Sequence, residues 1–450
     1  MKEHVRTITQ RLSLRKPQVD SLQILSRIGE ILSLEKRPNL ESCLEKIHAE
    51  FPSVKDFERE FPNLCFALAT GVGKTRLMGA FITYLYLEKG IKHFFVLAPN
   101  NTIHDKLIQD FSRPDYSKYV FQGIPEIAQN PPKIITRDNF HQGAGIRNQM
   151  AGQKDLFDND SQIHINIFNI SKIHAESKGN RVPLIKKLSE YIGESYFEYL
   201  SGLEDLVLIM DEAHRYRATA AMRVLNELNP VLGIELTATP QIESVAQTVQ
   251  FQNVIYNYPL SQALKDGFVK EPAVTTRENF DPKKYNEHEL EVLKIQDGIT
   301  VHEETKLHLQ AYADETQTQP IKPFILVVAQ DTSHANSLWK LIESDDFCNG
   351  KYKGKVISVH SAKSGDAEEE MIRKLLSVES IESPVEIVIH VNMLKEGWDV
   401  RNLYTIIPLR TANSKTLIKQ SIGRGLRLPF GKRTGVEEID TLTLKLFQHH

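Results

Sequence analysis

Residues 69–75 read Ala-Thr-Gly-Val-Gly-Lys-Thr and lie between two clear elements. The apolar run Leu64–Ala69 predicts a strand, and Thr75–Leu87 has apolar residues at helical spacing before Gly90. A Gly-containing loop in this context can turn its backbone N–H groups towards phosphate. The lysine would pair with β- and γ-phosphates, and the last threonine would hold Mg²⁺. The stretch predicts a nucleotide site formed by Thr70, Gly71, Val72, Gly73, Lys74 and Thr75.

A second apolar run, Leu206-Val-Leu-Ile-Met210, is followed at once by Asp211 and Glu212. Parallel α/β sheets bind ligands at the carboxyl ends of their strands, which is where these two carboxylates fall. Asp211 would hold Mg²⁺ together with Thr75, and Glu212 would orient and deprotonate the attacking water. Two solvated acids at a strand end are the alternative, which the phosphate loop disfavours.

Two arginines far downstream, Arg424 and Arg427, are three residues apart and share a face if the segment is helical. They lie too far along the chain to belong to the first sheet. We interpret them as arginine fingers that reach the γ-phosphate from a second domain. The alternative is a helix end whose arginines complement the helix dipole.

Short apolar runs alternate with amphipathic stretches along the whole chain, which predicts two tandem α/β domains with parallel sheets. The expected strands of the first domain are Leu64–Ala69, Phe94–Ala98, His164–Phe168, Val207–Met210 and Ile234–Thr237. Those of the second domain are Phe324–Ala329, Val356–His360, Ile387–His390, Thr405–Pro408 and Leu442–Phe447. Within the polar stretch 271–320 some helix is expected near Asn286–Lys294.

The bulk composition is that of an ordinary globular protein, with a formal net charge of −3 over 450 residues. No apolar run approaches the ~18 residues of a membrane span, so no membrane association is expected. Three cysteines without metal-type spacing favour a reducing, cytoplasmic setting.

Residues 401–433 contain eight basic and no acidic side chains. They form either a solvated basic face or a surface for polyanions, including nucleic acid.

These segments resemble, in order, the motifs of superfamily 2 helicases and translocases of the DEAH-box type. Arg15-Lys-Pro-Gln18 resembles the segment that reads adenine, and Asp211-Glu-Ala-His214 is the box itself. Ala98-Pro99-Asn100, Leu236-Thr237-Ala-Thr239-Pro240 and Phe324–Ala329 resemble motifs Ia, III and IV. Lys395-Glu-Gly397-Trp-Asp399 and Gln420–Arg427 resemble motifs V and VI. Leu68 stands where the general phosphate-loop consensus has its first glycine.

The resemblance implies two RecA-like domains with ATP and Mg²⁺ in the cleft between them. Gln420 would join the catalytic residues, and Arg15, Gln18, Gly397 and Asp399 would join the ATP site. A role in coupling or nucleic-acid contact is implied for His214, Thr237, Thr239, Pro99, Asn100 and Lys395. The expected domains are an N-terminal segment 1–60, a first RecA-like domain 61–258, a connector 259–320 and a second RecA-like domain 321–450.

A finer resemblance is to the restriction (Res) subunit of type III restriction-modification enzymes. It rests on Asp211-Glu-Ala-His-Arg215, Asn166-Ile-Phe-Asn-Ile-Ser-Lys172 and Glu396-Gly-Trp-Asp-Val-Arg-Asn402 followed by Ile406-Ile-Pro-Leu409. Two departures are residues 19–60, which form an insertion, and the absence of a nuclease motif after motif VI. Cleavage of DNA by this chain alone is therefore not expected.

The resemblance implies a DNA-dependent ATPase that acts as a translocase or helicase motor of a type III-like restriction or phage-defence system. Duplex DNA is the expected partner, and a methyltransferase or specificity subunit is a further one. Two alternatives stay open. One is an RNA-dependent DEAH-box helicase, and the other is a binding module that ATP merely locks on DNA.

Overall fold

The computed structural model describes residues 2–144, 162–169, 184–186, 195–217, 219–243, 248–278, 280–360, 374–375, 377–391, 400–409 and 422–446. The chain divides into two compact units, Met1–Leu260 and Ser261–His450, here called the first and the second unit. Within the described residues, no helix is both long and apolar enough to cross a bilayer.

Among the described residues of the first unit, seven strands form one sheet, and all neighbouring strands in it are parallel. They are β1 (Asn63–Leu68), β2 (His93–Ala98), β3 (Lys133–Ile135), β4 (His164–Asn169), β5 (Leu206–Asp211), β6 (Leu232–Thr237) and β9 (Val254–Tyr258). Their order across the sheet is β3-β4-β2-β5-β6-β1-β9. A separate antiparallel ribbon joins β7 (Gln241–Glu243) to β8 (Thr248–Gln250).

The helices of the first unit are α1 (Glu3–Arg11), α2 (Lys16–Ile31), α3 (Leu40–Glu50), α4 (Lys74–Lys89), α5 (Asn101–Ser112), α6 (Pro125–Gln129), α7 (Tyr196–Gly202) and α8 (Thr219–Glu227). As predicted, α4 follows the Gly-containing loop and ends at Gly90, whose φ of +67° suits a glycine. The N-terminal helices pack on α4. The Tyr84 hydroxyl donates to Ser26 Oγ at 3.0 Å, and Lys89 Nζ donates to the Gly29 carbonyl at 2.6 Å.

The second unit is built on a six-stranded sheet that is also parallel throughout. Its strands are β10 (Glu271–Thr275), β11 (Phe324–Val328), β12 (Val356–His360), β13 (Ile387–Val391), β14 (Leu403–Pro408) and β15 (Thr441–Lys445). The order is β10-β15-β14-β11-β13-β12. Its helices are α9 (Leu260–Lys265), α10 (Glu287–Thr316), α11 (Thr332–Ile342) and α12 (Glu437–Asp440).

All ten predicted strands are present, and no end differs by more than two residues. The prediction of two RecA-like α/β domains with parallel sheets is confirmed. Strands β3, β9 and β10 were not predicted, and each is a peripheral strand of its sheet. Most positions of β3 and β10 are partly or fully exposed, so these strands lack the continuous apolar runs of the central ones.

The prediction of a connector over 259–320 was wrong. Strand β10 pairs with β15 inside the second sheet, and α10 is a helix of 30 residues that packs on that sheet. The buried face of α10 includes Gly298, His302 and Thr305, which carry little apolar signal. A stretch that is polar in sequence can therefore be part of a domain when small or paired side chains line its inner face.

Candidate active site

The phosphate loop lies between β1 and α4, at the carboxyl edge of the first sheet. Gly71 and Gly73 have φ angles of +82° and +98°, a region that glycine enters without strain. Val72 is buried and fixes the loop against the unit. Lys74 is the first residue of α4, followed by Thr75. The loop therefore places backbone N–H groups and a helix N-terminus together, which is the arrangement that binds phosphate.

Two residues from the N-terminal segment contact this loop directly. Arg15 Nη1 donates to the Gly71 carbonyl at 2.8 Å, and Gln18 Nε2 donates to the Gly73 carbonyl at 2.8 Å. Gln18 also closes the start of α2, because its Oε1 accepts from the Arg15 backbone N–H at 2.8 Å. The segment that resembles the adenine-reading motif is thus joined to the phosphate loop. Its contact with adenine stays a prediction.

Both predicted carboxylates lie at the end of β5, beside the lysine of the loop. Glu212 Oε1 is 3.3 Å from Lys74 Nζ, and the Glu212 backbone N–H donates to Asp211 Oδ1 at 3.1 Å. Glu212 has φ +51° and ψ +55°, a left-handed conformation that is uncommon for a residue with a side chain. One turn of chain therefore presents two acids towards the phosphate loop.

The pKa of Asp211 is raised to about 6, first by burial and then by the charge of Glu212. The charges of Lys74 and Lys106 oppose this shift. The direction of the shift means that burial and the charge of Glu212 outweigh the effect of the two lysines. Mg²⁺ prefers oxygen ligands, and the Asp211 carboxylate and the Thr75 hydroxyl supply them, so the residue types present fit that ion. Sequence reasoning missed Lys106, which lies on α5 with no motif to mark it.

The motif that follows β6 is joined to the same turn. His214 Nδ1 lies 3.2 Å from the Thr237 hydroxyl, and Thr237 Oγ1 accepts from the Thr239 backbone N–H at 3.1 Å. At the end of β2, Asn100 follows Pro99 and caps α5, since its Oδ1 accepts from the Ile103 N–H at 2.9 Å. Four strand ends therefore carry predicted residues to one edge of the sheet.

Arg424 and Arg427 belong to the second unit, in and just after a helical turn at 422–425. The segment is firmly attached to that unit's sheet. A Cβ on Gly425 would lie 2.6 Å from Leu442 Cδ1, and the Lys270 backbone N–H donates to the Leu426 carbonyl at 2.7 Å. Lys395, Gly397, Asp399 and Gln420 lie outside the described residues. Their roles stay predictions.

A second group of ligand-type side chains lies in the second unit, where His302, Glu303 and Glu386 have candidate ligand atoms within 4.8 Å of one another. Lysines already occupy these carboxylates. Glu386 binds Lys306 and Lys355 at 2.9 Å each, and Glu303 binds Lys351 at 2.9 Å. The group is therefore a salt-bridge cluster that joins α10 to the sheet, and the lysine charges disfavour a metal there.

Comparisons with known proteins find relatives among restriction enzymes. The family model described as "Type III restriction enzyme, res subunit" matches residues 33–242. A Haemophilus influenzae protein, "Probable type III restriction-modification enzyme HindVIP Res subunit", is 23% identical over 80% of this chain and 79% of its own length. The EcoP15I Res subunit of Escherichia coli is 25% identical over 57% of this chain but only 24% of its own length.

Among solved structures, the "ATP-dependent Type ISP restriction-modification enzyme LlaBIII bound to DNA" covers 91% of this chain with a TM-score of 0.50 and 15% identity. This chain spans 27% of that protein, so the likeness concerns the fold of one part of it. By its motifs, its two parallel sheets and these matches, the chain is similar to superfamily 2 DEAH-box helicases and translocases and to the Res subunit of type III restriction enzymes.

Proposed function

We propose that the chain is a nucleic-acid-dependent ATPase that works as a DNA translocase or helicase motor of a type III-like restriction or phage-defence system. The observation that carries the proposal is the placement of Lys74 Nζ 3.3 Å from Glu212 Oε1, beside buried Asp211. A phosphate-binding lysine and a candidate base thus lie together at one strand edge. The relatives named above support the restriction setting.

In this proposal the loop N–H groups and Lys74 bind the β- and γ-phosphates of ATP. Thr75 and Asp211 would hold Mg²⁺, which when bound neutralises charge on the phosphate oxygens. Glu212 orients the attacking water and accepts its proton. Lys74 must exchange Glu212 for phosphate when ATP binds, and this exchange leaves the carboxylate available for the water.

The preference for DNA rests on two observations. Residues 401–433 carry eight basic and no acidic side chains, and phosphate contacts of this kind dominate affinity for nucleic acid. The Type ISP relative is described as bound to DNA. A methyltransferase or specificity subunit is proposed as partner from the type III resemblance. The cysteines are unpaired, and we propose a cytoplasmic setting in keeping with them.

The test is steady-state ATP turnover with duplex DNA, single-stranded DNA and RNA, each over a range of salt. We expect duplex DNA to stimulate ATP turnover more than RNA does. The logarithm of the apparent affinity for DNA should fall linearly with the logarithm of the salt concentration. Lys74→Ala is the control, in which we expect no ATP turnover. Plasmid DNA incubated with the chain, ATP and Mg²⁺ should stay uncleaved. Equal or stronger stimulation by RNA would favour the RNA helicase. One turnover followed by arrest on DNA would favour the ATP-locked binding module.

A further inference from the structure

A buried carboxylate lies directly behind the catalytic turn of the first unit. Glu235, in the middle of β6, is fully buried and accepts hydrogen bonds from three donors. Arg59 Nη2 is 3.1 Å from its Oε1, and Asn253 Nδ2 is 3.1 Å from its Oε2. Arg217 Nη2 donates to the same Oε2. A charged residue in the apolar run Leu232–Thr237 is unusual, and it is the sequence feature that could have revealed this cluster.

The two arginines connect Glu235 to the turn that carries the catalytic acids. Arg59 Nη2 also donates to the Tyr216 carbonyl at 3.3 Å. Arg217 is the residue after that turn, and its guanidinium stacks on the Phe251 ring with its carbon 3.8 Å from the ring centroid. Its Nη1 is 2.6 Å from Glu58 Oε2. The carboxyl-terminal end of the turn is therefore fixed to β6 through Glu235.

The same strand fixes the turn at a second point. Thr237 lies two residues after Glu235, so both side chains project from one face of β6. The Thr237 hydroxyl contacts His214, while Glu235 accepts directly from Arg217 and is linked to the Tyr216 carbonyl through Arg59. Between these points and β5 lies Glu212 in its left-handed conformation. Such a conformation is strained for a residue with a side chain and persists only where the surroundings impose it.

The cluster is not an efficient way to stabilise a fold. Nε and Nη1 of Arg59 and Nε of Arg217 are buried and have no hydrogen-bond partner among the described residues. Burial of ions carries a large desolvation cost, and apolar replacements of whole clusters are often neutral or stabilising. The cluster instead fixes the position of the backbone, because planar guanidinium groups that share one carboxylate allow only a narrow range of geometries.

We propose that Glu235 is a positioning residue for ATP hydrolysis, which acts through Arg59 and Arg217 to hold Glu212 in its left-handed conformation. The inference rests on the proposed function, in which Glu212 is the base. Without the Glu235 charge the arginines reorient and the turn relaxes, so the Glu212 carboxylate moves away from the attacking water. The phosphate loop lies on β1 and α4 and keeps its geometry, so affinity for ATP is retained.

The experiment compares ATP affinity and kcat per bound ATP in the full chain and its variants. Glu235→Gln preserves shape but removes the charge. We expect kcat to fall about 10²-fold, the scale for a misplaced catalytic group, while the Kd for ATP stays within about twofold. Arg217→Lys keeps the charge but loses the planar fork, and should lower kcat in the same direction. It is the second variant if Glu235→Gln does not fold.

Glu386→Gln is the matched control. Glu386 is also a buried carboxylate with three basic partners, but it belongs to the second unit, whereas the turn belongs to the first. It should lower the melting temperature and leave kcat per bound ATP unchanged. A loss of kcat in Glu386→Gln equal to that in Glu235→Gln would mean that general destabilisation explains both, and would overturn the proposal.

A double-mutant cycle separates positioning from a structural role. If Glu235 acts through Glu212, adding Glu235→Gln to Glu212→Gln should change residual single-turnover hydrolysis less than twofold. A further 10²-fold loss in that background, or parental kcat in Glu235→Gln alone, would overturn the inference and leave the proposed ATPase intact. If the parent itself shows no turnover that Lys74→Ala abolishes, the proposed function fails and the inference fails with it.

Discussion

At the scale of single residues, the turn from Asp211 to Tyr216 carries the two candidate acids of the first unit. Asp211 and Glu212 were predictable because two acids followed an apolar strand, and Lys74 because the phosphate loop has a sequence pattern of its own. Glu235 and Lys106 were not predictable. The partners of each residue are far from it in sequence, and only the folded sheet brings them close.

The proposed function gives Lys74 and Glu212 different tasks, so we expect their variants to fail differently. Lys74→Ala removes a phosphate contact and should weaken ATP binding as well as abolish hydrolysis. Glu212→Gln keeps the size of the side chain but cannot accept the proton, so binding should survive while turnover stops. ATP affinity by calorimetry and phosphate release by a coupled assay check both. Turnover of Glu212→Gln within about tenfold of the parent would contradict its role as the base.

At the scale of elements, central strands could be predicted and edges could not. Strand β1 is buried along its whole length, whereas β10 exposes most of its positions, including Val274 at 60%. Helix α10, in contrast, packs closely on the sheet although its sequence is largely polar. Gly298 lets it approach β14 so closely that an added Cβ would lie 2.3 Å from Ile407 Cδ1. Close approach through a glycine leaves no apolar pattern to detect.

Gly79 makes a similar approach within α4, and it gives a stability test. An added Cβ would lie 2.7 Å from Val120 Cβ and 2.8 Å from the Val120 carbonyl oxygen, so backbone would have to move. Gly79→Ala should lower the free energy of unfolding by about 1–3 kcal/mol despite the better helix propensity of alanine. Urea denaturation measures it.

The matched control is Gly202→Ala at the end of α7, where nothing lies within 4 Å of the added Cβ. It should be neutral or stabilising by up to about 1 kcal/mol. Equal effects of the two alanines would show that α4 tolerates displacement from Val120.

The salt-bridge cluster on α10 predicts a stability that falls with acid. Burial lowers the pKa of His302, so its contribution is present above the unfolded value of about 6.5 and is lost below it. Burial opposes ionisation of Glu303 and Glu386, but hydrogen bonds outweigh it. Their donors, which include Tyr352 and Lys351 for Glu303 and His302 and Lys306 for Glu386, lower both pKa values, that of Glu303 to about 2. The carboxylates therefore stabilise above pH ~4.5 and progressively less below it.

Denaturation at pH 7, 5.5 and 4 should accordingly give a falling free energy of unfolding. His302→Gln should flatten the decline between pH 7 and 5.5 and leave the decline near pH 4 in place. An unchanged slope in that variant would assign the acid sensitivity to other groups.

At the scale of the whole molecule, each unit has a parallel sheet and its own part of the predicted chemistry. The ordered motifs made the two-domain organisation predictable, because the phosphate loop and the arginine pair could not share one sheet. The boundary after Leu260 was harder to predict, since α9 and β10 follow it without a low-complexity linker.

Arg424→Ala and Arg427→Ala test whether the second unit takes part in hydrolysis. Loss of an arginine finger lowers kcat by ~10³-fold or more, and we expect that scale for at least one position. ATP binding should survive, because the phosphate loop belongs to the first unit. Single-turnover hydrolysis beside equilibrium ATP binding measures both. Near-parental turnover in both variants would mean that these arginines take no part in hydrolysis and serve only the structure or contact with DNA.

The position of β1 between β6 and β9 has a consequence during synthesis. Strand β1 and its phosphate loop leave the ribosome early, but both neighbours, Leu232–Thr237 and Val254–Tyr258, are made much later. Non-local pairing of this kind is slow and leaves strand edges exposed until it is complete. Nascent chains stalled with residues 1–231 outside the ribosome should gain no protection from protease on addition of ATP, whereas chains exposed to residue 260 should. ATP, at cellular concentration, would thus act as a ligand that stabilises the first unit once β6 and β9 have joined the sheet on either side of β1.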